Sequence, residues 1–232
     1  MTPIPQLSGD AFEALRRLDT CTVSNAIEGF NVRLKNEGFV NGSVHCQFPK
    51  LPPMLGYAVT GRIRSSSPPM AGRCYYDRID WWRHVLTVPA PRVMVIQDVD
   101  RLPGIGAFVG EMHVEIGLAL QCIGCVTNGA VRDLEAIETR NFHAFAGSVA
   151  VSHAFAHLFE FGEPVEIGGL KIRSGDLVHG DMHGVQTIPM AIAAQVPAAA
   201  ERVLEEEGAV INLCRSPEFT LEKLAAKLSR QG

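Results

Sequence analysis

The sequence predicts one α/β domain with buried strands and a C-terminal helical arm, on three observations. Two apolar runs, Arg92-Val93-Met94-Val95-Ile96-Gln97-Asp98-Val99 and Cys122-Ile123-Gly124-Cys125-Val126-Thr127, have the near-continuous hydrophobicity of strands covered on both faces. Between them lie a glycine-rich turn, Gly104-x-Gly106-x-x-x-Gly110, and a helix-like segment from about Glu111 to Gln121. Shorter alternating strands and helices flank this unit on both sides without an internal repeat or a low-complexity linker.

The elements follow in order. Ser8 opens a helix over residues 8–19, with Phe12, Leu15 and Leu18 at helical spacing. A second short helix begins at Thr22-Val23-Ser24-Asn25, with Thr22 or Ser24 as its cap. Residues 31–53 are rich in Asn, Gly and Pro and read as loop, with Val40 to Phe48 extended in part. Tyr57 to Arg64 alternates like a strand, and Ser65-Ser66-Ser67-Pro68-Pro69 breaks it. Asp77 to Val88 reads as a helix carrying Trp81 and Trp82, a pair assigned to core or subunit interface. The second apolar run is expected to break at Gly129, and a short helix over Leu134 to Thr139 follows. Ala144–Ala146 and Ser148–Val151 read as two short strands. Val165–Ile167 and Leu170–Ile172 form a hairpin around Gly168-Gly169. Asp176–His179 and Gly184–Ile188 are strands around a polar turn. Ala191 to Glu207 is helical, interrupted at Pro197, and Thr220 to Arg230 is a terminal amphipathic helix. This divides the chain into an α/β domain over 1–190 and a helical arm of the same domain over 191–232.

Composition narrows the function. The 232 residues are 47% hydrophobic and 20% charged, the profile of a globular protein. A net charge of −4 without a basic block argues against nucleic acid as a partner. No segment approaches the roughly 20 apolar residues of a membrane span, and Met1-Thr2-Pro3-Ile4-Pro5-Gln6 is not a signal peptide. The expectation is a cytoplasmic protein with free thiols. Cys122-x-x-Cys125 lacks the second pair of a structural zinc site and lies in a strand, where i and i+3 face opposite ways, so both read as core cysteines.

The chemistry concentrates at Asn128-Gly129-Ala130-Val131-Arg132-Asp133. Neighbouring strand residues point to opposite faces, so Arg132 and Asp133 share a site only where the strand has ended. Strand ends are where α/β folds place ligands, and an Arg beside a carboxylate suits a small anion held next to a metal ion. The glycine spacing is not the dinucleotide fingerprint; a carboxylate or phosphate cradle at a helix N-terminus fits better. His153-x-x-x-His157 has the i, i+4 spacing of helical zinc ligands without the accompanying Glu, and reads as packing or surface histidines. In His179-Gly180-Asp181-Met182-His183 the Asp reads as a structural turn residue.

With these pieces in place the chain resembles the class II pyruvate aldolases that cleave 4-hydroxy-4-methyl-2-oxoglutarate and 4-carboxy-4-hydroxy-2-oxoadipate, a family that includes the regulator of ribonuclease activity A. The resemblance covers roughly residues 10 to 190. It is carried by Leu18-Asp19-Thr20-Cys21-Thr22-Val23-Ser24-Asn25-Ala26, Ala58-Val59-Thr60, Gly110-Glu111-Met112, Gly129-Ala130-Val131-Arg132-Asp133, and Ser174-Gly175-Asp176 through Asp181-x-His183-Gly184-Val185. It implies an α/β/β/α layered fold of the swivelling phosphohistidine-domain type, and trimers or hexamers with sites between subunits. It implies that Gly110, Glu111, Met112 and His113 bind the substrate's carboxylate, that Arg132 binds substrate, and that Asp133 ligates Mg²⁺ or Mn²⁺. An acidic residue from a neighbouring subunit's C-terminal region would join them; Glu201, Glu205, Glu206 and Glu207 are the candidates. The family usually has Asp where this chain has Asn128, which removes a charge beside the site.

Retro-aldol cleavage needs an electrophile for the pyruvate enolate and a base for the C4 hydroxyl. The resemblance supplies the metal and Arg132 for the first, and a polarised water for the second. Oxaloacetate decarboxylation passes through the same enolate. The competing expectations are a non-catalytic protein-binding regulator and a related lyase or hydratase on another hydroxy acid. Arg62, Arg64, Arg73 and Arg78 are the candidates for a distal substrate carboxylate.

Overall fold

Strands form where the sequence runs apolar on both faces, and four of them make the parallel centre of the sheet. The computed structural model describes residues 4–69 and 78–229. Its strands are β1 (His45–Cys46), β2 (Met54–Arg64), β3 (Arg92–Asp98), β4 (Ala107–Val109), β5 (Cys122–Val131), β6 (His143–Val149), β7 (His157–Phe161), β8 (Val165–Ile167), β9 (Leu170–Ile172), β10 (Leu177–Asp181) and β11 (Gly184–Ile188). Its helices are α1 (Gly9–Arg16), α2 (Thr20–Glu28), α3 (Arg78–Val85), α4 (Glu111–Ala119), α5 (Leu134–Thr139), α6 (Val196–Arg215) and α7 (Leu221–Leu228), with a 3₁₀ turn at Ala193–Gln195.

The main sheet runs β1-β6-β5-β3-β2-β10-β11, with β4 added to β5 and β7 added to β2. The pairs β2–β3, β3–β5, β5–β6 and β4–β5 are parallel, while β10, β11, β7 and β1 join antiparallel. Alternation sorts the side chains onto two faces. Tyr57, Val59, Ile63, Met94 and Ile96 face a core shared with α1, α2, α3, α4 and the start of α6. Ala58, Val93, Val95, Val126 and Val178 face a second core closed by the β8–β9 hairpin. The fold is thus a layered α/β structure with C-terminal helices, as the apolar runs predict.

Several boundaries differ from expectation. The strand expected to break at Gly129 continues to Val131 through a bulge, with the register to β6 shifting between Thr127 and Ala130. The two short strands expected at 144–151 are one strand, β6. The cap of α2 is Asp19, which accepts from the Thr22 N–H at 2.8 Å, rather than Thr22 or Ser24. Pro197 opens α6 instead of interrupting it, because the first helical turn needs no N–H donor there. Of the segment from Val40 to Phe48 only His45 and Cys46 form a strand. Strands β4 and β7 had no forecast from the sequence. Cys122 and Cys125 face the same core rather than opposite ones, since a register shift at Arg92/Val93 inserts a residue between them. Burial pushes both thiols up to about 12. Trp81 and Trp82 are buried in the helix-side core. Among the described residues no helix is long and apolar enough to cross a membrane.

Candidate active site

Two strands deliver the site. β4 runs parallel to the last residues of β5, pairing Ala107 with Ala130 and Val109 with Val131, and the Arg132 N–H donates to the Val109 carbonyl at 3.1 Å. Both chains therefore leave the sheet side by side at its carboxyl edge. One continues into Gly110 and α4, the other into Arg132, Asp133 and α5. This is the general position for ligands in open α/β sheets.

The turn at Asp133 is what brings the pair together. Asp133 is the N-cap of α5 but sits in the left-handed region at φ 59°, ψ 41°, and its carboxylate does not cap its own helix. Oδ2 instead accepts the Glu111 N–H at the start of α4, at 3.0 Å. That helix has no side-chain cap of its own from Gly110. A carboxylate here also meets the positive end of the helix dipole. The same Oδ2 lies 3.5 Å from Arg132 Nε, and the two side chains are only 36% and 38% exposed. Gly110 leaves the space: a Cβ there would lie 2.6 Å from Asp133 Oδ2 and 3.0 Å from Arg132 Nε. Left-handed backbone costs a non-glycine residue on the order of 1 kcal/mol, and such outliers gather at functional sites.

A cavity of about 200 Å³ opens beside this pair, lined by Ala107, Phe108, Gly110, Met112, His113, Arg132, His153 and Ala156. His113 is buried and packs against Phe108 with the rings tilted at 46° and their centroids 4.7 Å apart. The predicted residues Gly110, Met112, His113 and Arg132 thus share one cavity, while Glu111 joins through its backbone and its side chain is exposed. Gly104 and Gly106 have other duties: Gly104 packs on Ser148 and Gly106 on the His153 carbonyl.

Asn128, where the resemblance expects Asp, holds the end of β3. Its Oδ1 accepts the Asp98 N–H at 2.8 Å and its Nδ2 donates to the Asp98 carbonyl at 2.9 Å, a clasp that a carboxylate cannot make. Asp98, buried at the end of β3, accepts in turn from the Gly104 N–H at 2.9 Å and anchors the glycine-rich turn.

The other candidates have partners or positions of their own. Arg62 pairs with Glu160 and donates to the Pro164 carbonyl. Arg64 sits over the Phe159 ring. Arg73 lies outside the described residues, and Arg78 begins α3. His157 lies in β7 and His153 precedes it in a turn, so the helical zinc spacing does not apply. Asp181 accepts from Thr20 N–H and Oγ1 at 2.8 and 2.6 Å and from the His183 N–H at 2.8 Å, tying the β10–β11 turn to the start of α2. Among the C-terminal glutamates, Glu207 accepts from Asn25 Nδ2 at 3.0 Å. The role of His153 in the cavity has no local sequence signal, because only the fold brings its loop to Arg132.

Asp133 keeps one carboxylate oxygen outside these contacts, and among the described residues no three His, Cys, Asp or Glu side chains cluster as a metal cage. A single hard oxygen donor suits an ion that retains most of its water, as Mg²⁺ and Mn²⁺ do, and does not suit zinc.

Comparison with known proteins agrees with this architecture. The RraA-like model, Aldolase/RraA, matches residues 20–186. A protein of Halalkalibacterium halodurans named "Putative 4-hydroxy-4-methyl-2-oxoglutarate aldolase" is 36% identical over 85 residues, 36% of this chain and 39% of that protein. Protein DlpA of Legionella pneumophila is 30% identical over 82 residues, 34% of this chain and 13% of that protein. The matched stretches thus span well under half of either relative's length. Among solved structures, an uncharacterized protein of Pseudomonas syringae pv. tomato superposes with a TM-score of 0.75 at 23% identity, covering 96% of each chain. Streptomyces coelicolor RraAS2, described as an unusual member of the RNase ES inhibitor RraA family, superposes at 0.69 and 19% identity, covering 89% of this chain and 98% of that one. At such identities the structures speak to the fold alone. With the family model spanning most of its length, the chain belongs to the RraA-like (Aldolase/RraA) family.

Proposed function

We propose that this protein is a divalent-metal-dependent lyase. It would cleave a 4-hydroxy-2-oxo acid of the 4-hydroxy-4-methyl-2-oxoglutarate type between C3 and C4, releasing pyruvate and a second oxo acid. The observation that carries the reading is the Arg132–Asp133 pair, held 3.5 Å apart against the first turn of α4 on the wall of a small cavity.

Each group has a task. Arg132 donates charge-assisted hydrogen bonds to the substrate's 2-oxo acid end and stabilises the negative charge that grows there as the bond breaks. A donor of this kind contributes about 3–4 kcal/mol to a barrier. Asp133 is the metal ligand, and a bound Mg²⁺ or Mn²⁺ would supply Lewis-acid polarisation of the 2-oxo group. The N-terminus of α4, the positive end of its dipole, favours a carboxylate, with Met112 and His113 as side walls. Phe108, Ala107 and Ala156 give the substrate's C4 substituent an apolar surface. Oxaloacetate decarboxylation, which yields the same enolate, is the expected secondary activity. A homotrimer or homohexamer is the expected assembly, with one of Glu201, Glu205, Glu206 or Glu207 of the exposed α6 completing a neighbour's site.

The test is pyruvate release from 4-hydroxy-4-methyl-2-oxoglutarate and from oxaloacetate, coupled to a dehydrogenase, with Mg²⁺ and then with excess EDTA. Release from the hydroxy acid that EDTA abolishes is expected. Folded protein that releases none from either substrate would overturn the aldolase in favour of a protein-binding regulator.

A further inference from the structure

We propose that His153 is the base that takes the C4 hydroxyl proton and returns it to C3. The inference rests on the aldolase reading above, and four features of the His153 segment carry it.

The first is tautomer. His153 Nδ1 lies 2.7 Å from the Ala154 carbonyl oxygen. A carbonyl oxygen only accepts, so Nδ1 carries the ring proton and the neutral ring presents an Nε2 lone pair. The second is place: His153 lines the same cavity as Arg132. The third is backbone strain. Ala154, the residue whose carbonyl fixes the tautomer, has φ +44°, an uncommon conformation for a residue with a Cβ. The fourth is support. The Ala154 N–H donates to Ser152 Oγ at 2.9 Å, and the Ala107 N–H donates to the Ser152 carbonyl at 3.0 Å. Gly106 packs so closely that a Cβ there would lie 2.4 Å from the His153 carbonyl oxygen. The segment is thus clamped to β4, the strand that leads into Gly110.

Among the described residues, the other charged or titratable groups on this cavity are Arg132 and His113, with Asp133 beside Arg132. The Gly104–Gly106 turn and β4 bring none. Arg64 ends β2 opposite His157 of β7, whose Nδ1 lies 2.7 Å from the Phe155 carbonyl oxygen, and just beyond β2 the Ser65 carbonyl accepts the Phe155 N–H while the Ser65 hydroxyl donates to Asp98 and Asp100.

The proton balance closes with this one residue. The C4 hydroxyl proton passes to Nε2. The C3–C4 bond breaks, C4 becomes a carbonyl, and the bonding pair forms the C2–C3 double bond of the enolate as the 2-oxo oxygen gains the charge. The imidazolium then returns the proton to C3, giving the methyl group of pyruvate and the neutral ring.

Oxaloacetate has no hydroxyl to deprotonate, so the two reactions separate the role. His153→Gln is expected to lower kcat for the hydroxy acid at least about 100-fold, with KM little changed. Decarboxylation should fall far less. Imidazole added to His153→Ala should restore part of the retro-aldol rate. Equal losses in both reactions, or an intact retro-aldol rate in His153→Gln, would overturn the base and leave the aldolase standing. Wild-type protein that releases no pyruvate from the hydroxy acid would overturn both.

Discussion

At the scale of single residues, the site is a contest for one carboxylate oxygen. Asp133 Oδ2 serves the Glu111 N–H and faces the Arg132 guanidinium, and Gly110 provides the room for both. Arg132→Ala is therefore expected to lower kcat about 100- to 1,000-fold with the circular dichroism spectrum unchanged. Asp133→Ala is expected to abolish the EDTA-sensitive part of pyruvate release. Near-normal turnover in either variant would remove these residues from the chemistry. Gly110→Ala separates site from fold. Its methyl would meet side-chain atoms, Asp133 Oδ2 at 2.6 Å and Arg132 Cγ and Nε at 3.0 Å, rather than backbone, so these side chains can yield. We expect less than about 1.5 kcal/mol of lost stability in urea melts, alongside a loss of turnover as the pair is displaced. A variant that melts early but keeps its rate would contradict this. The juxtaposition of Arg132 and Asp133 was legible in the sequence, because only a finished strand lets neighbours share a site. The partnership of Asp133 with Glu111 was not, since it joins positions that a parallel strand pairing brings together.

At the scale of elements, helix starts are held by carboxylates from both near and far. Asp19 caps α2 locally, accepting from Thr22 N–H and Oγ1 at 2.8 Å each, and Asp181 reaches the Thr20 N–H from the end of β10. Asp19→Ala should cost about 1 kcal/mol, read as a shift in the urea midpoint at constant slope. A shift well below that would mean Asp181 alone secures the helix. These hydrogen bonds also hold both carboxyls below the usual range, against the desolvation that raises them. Their contribution to stability is present above the unfolded carboxylate pKa of about 3.9, and is lost as pH falls through the lower folded values. Elements with a strong local pattern, such as β3, α4 and the Gly168-Gly169 hairpin, were legible. β4 and β7 were not: a three-residue strand has almost no pattern, and β7 exists because β2 offers it an edge.

At the scale of the whole molecule, the sheet buries titratable groups that the sequence presents as ordinary. His179 in β10 is fully buried with Nε2 against the Leu18 carbonyl, and desolvation pushes its pKa down to about 4. An unfolded histidine titrates near 6.5, so between those values the unfolded chain binds the extra proton. Stability is therefore whole above about pH 6.5 and declines as pH falls toward 4, by on the order of 3 kcal/mol from this residue. His143, also pushed down to about 4 by burial, acts in the same direction. Urea midpoints measured from pH 7 to pH 4 should fall, and His179→Gln should flatten the curve; an unchanged slope would mean another group governs it. The sequence by itself determined the layered α/β class, the order of the main elements, and the Arg132–Asp133 turn as the centre of interest. Those follow from periodicity and chain direction, which are local. Only the tertiary structure decided that Asp133 caps α4, that Asn128 clasps Asp98, and that His153 shares a cavity with Arg132. Each depends on which strands lie side by side, and strand adjacency is chosen by the burial of two cores at once, a property of the whole chain that no short segment carries.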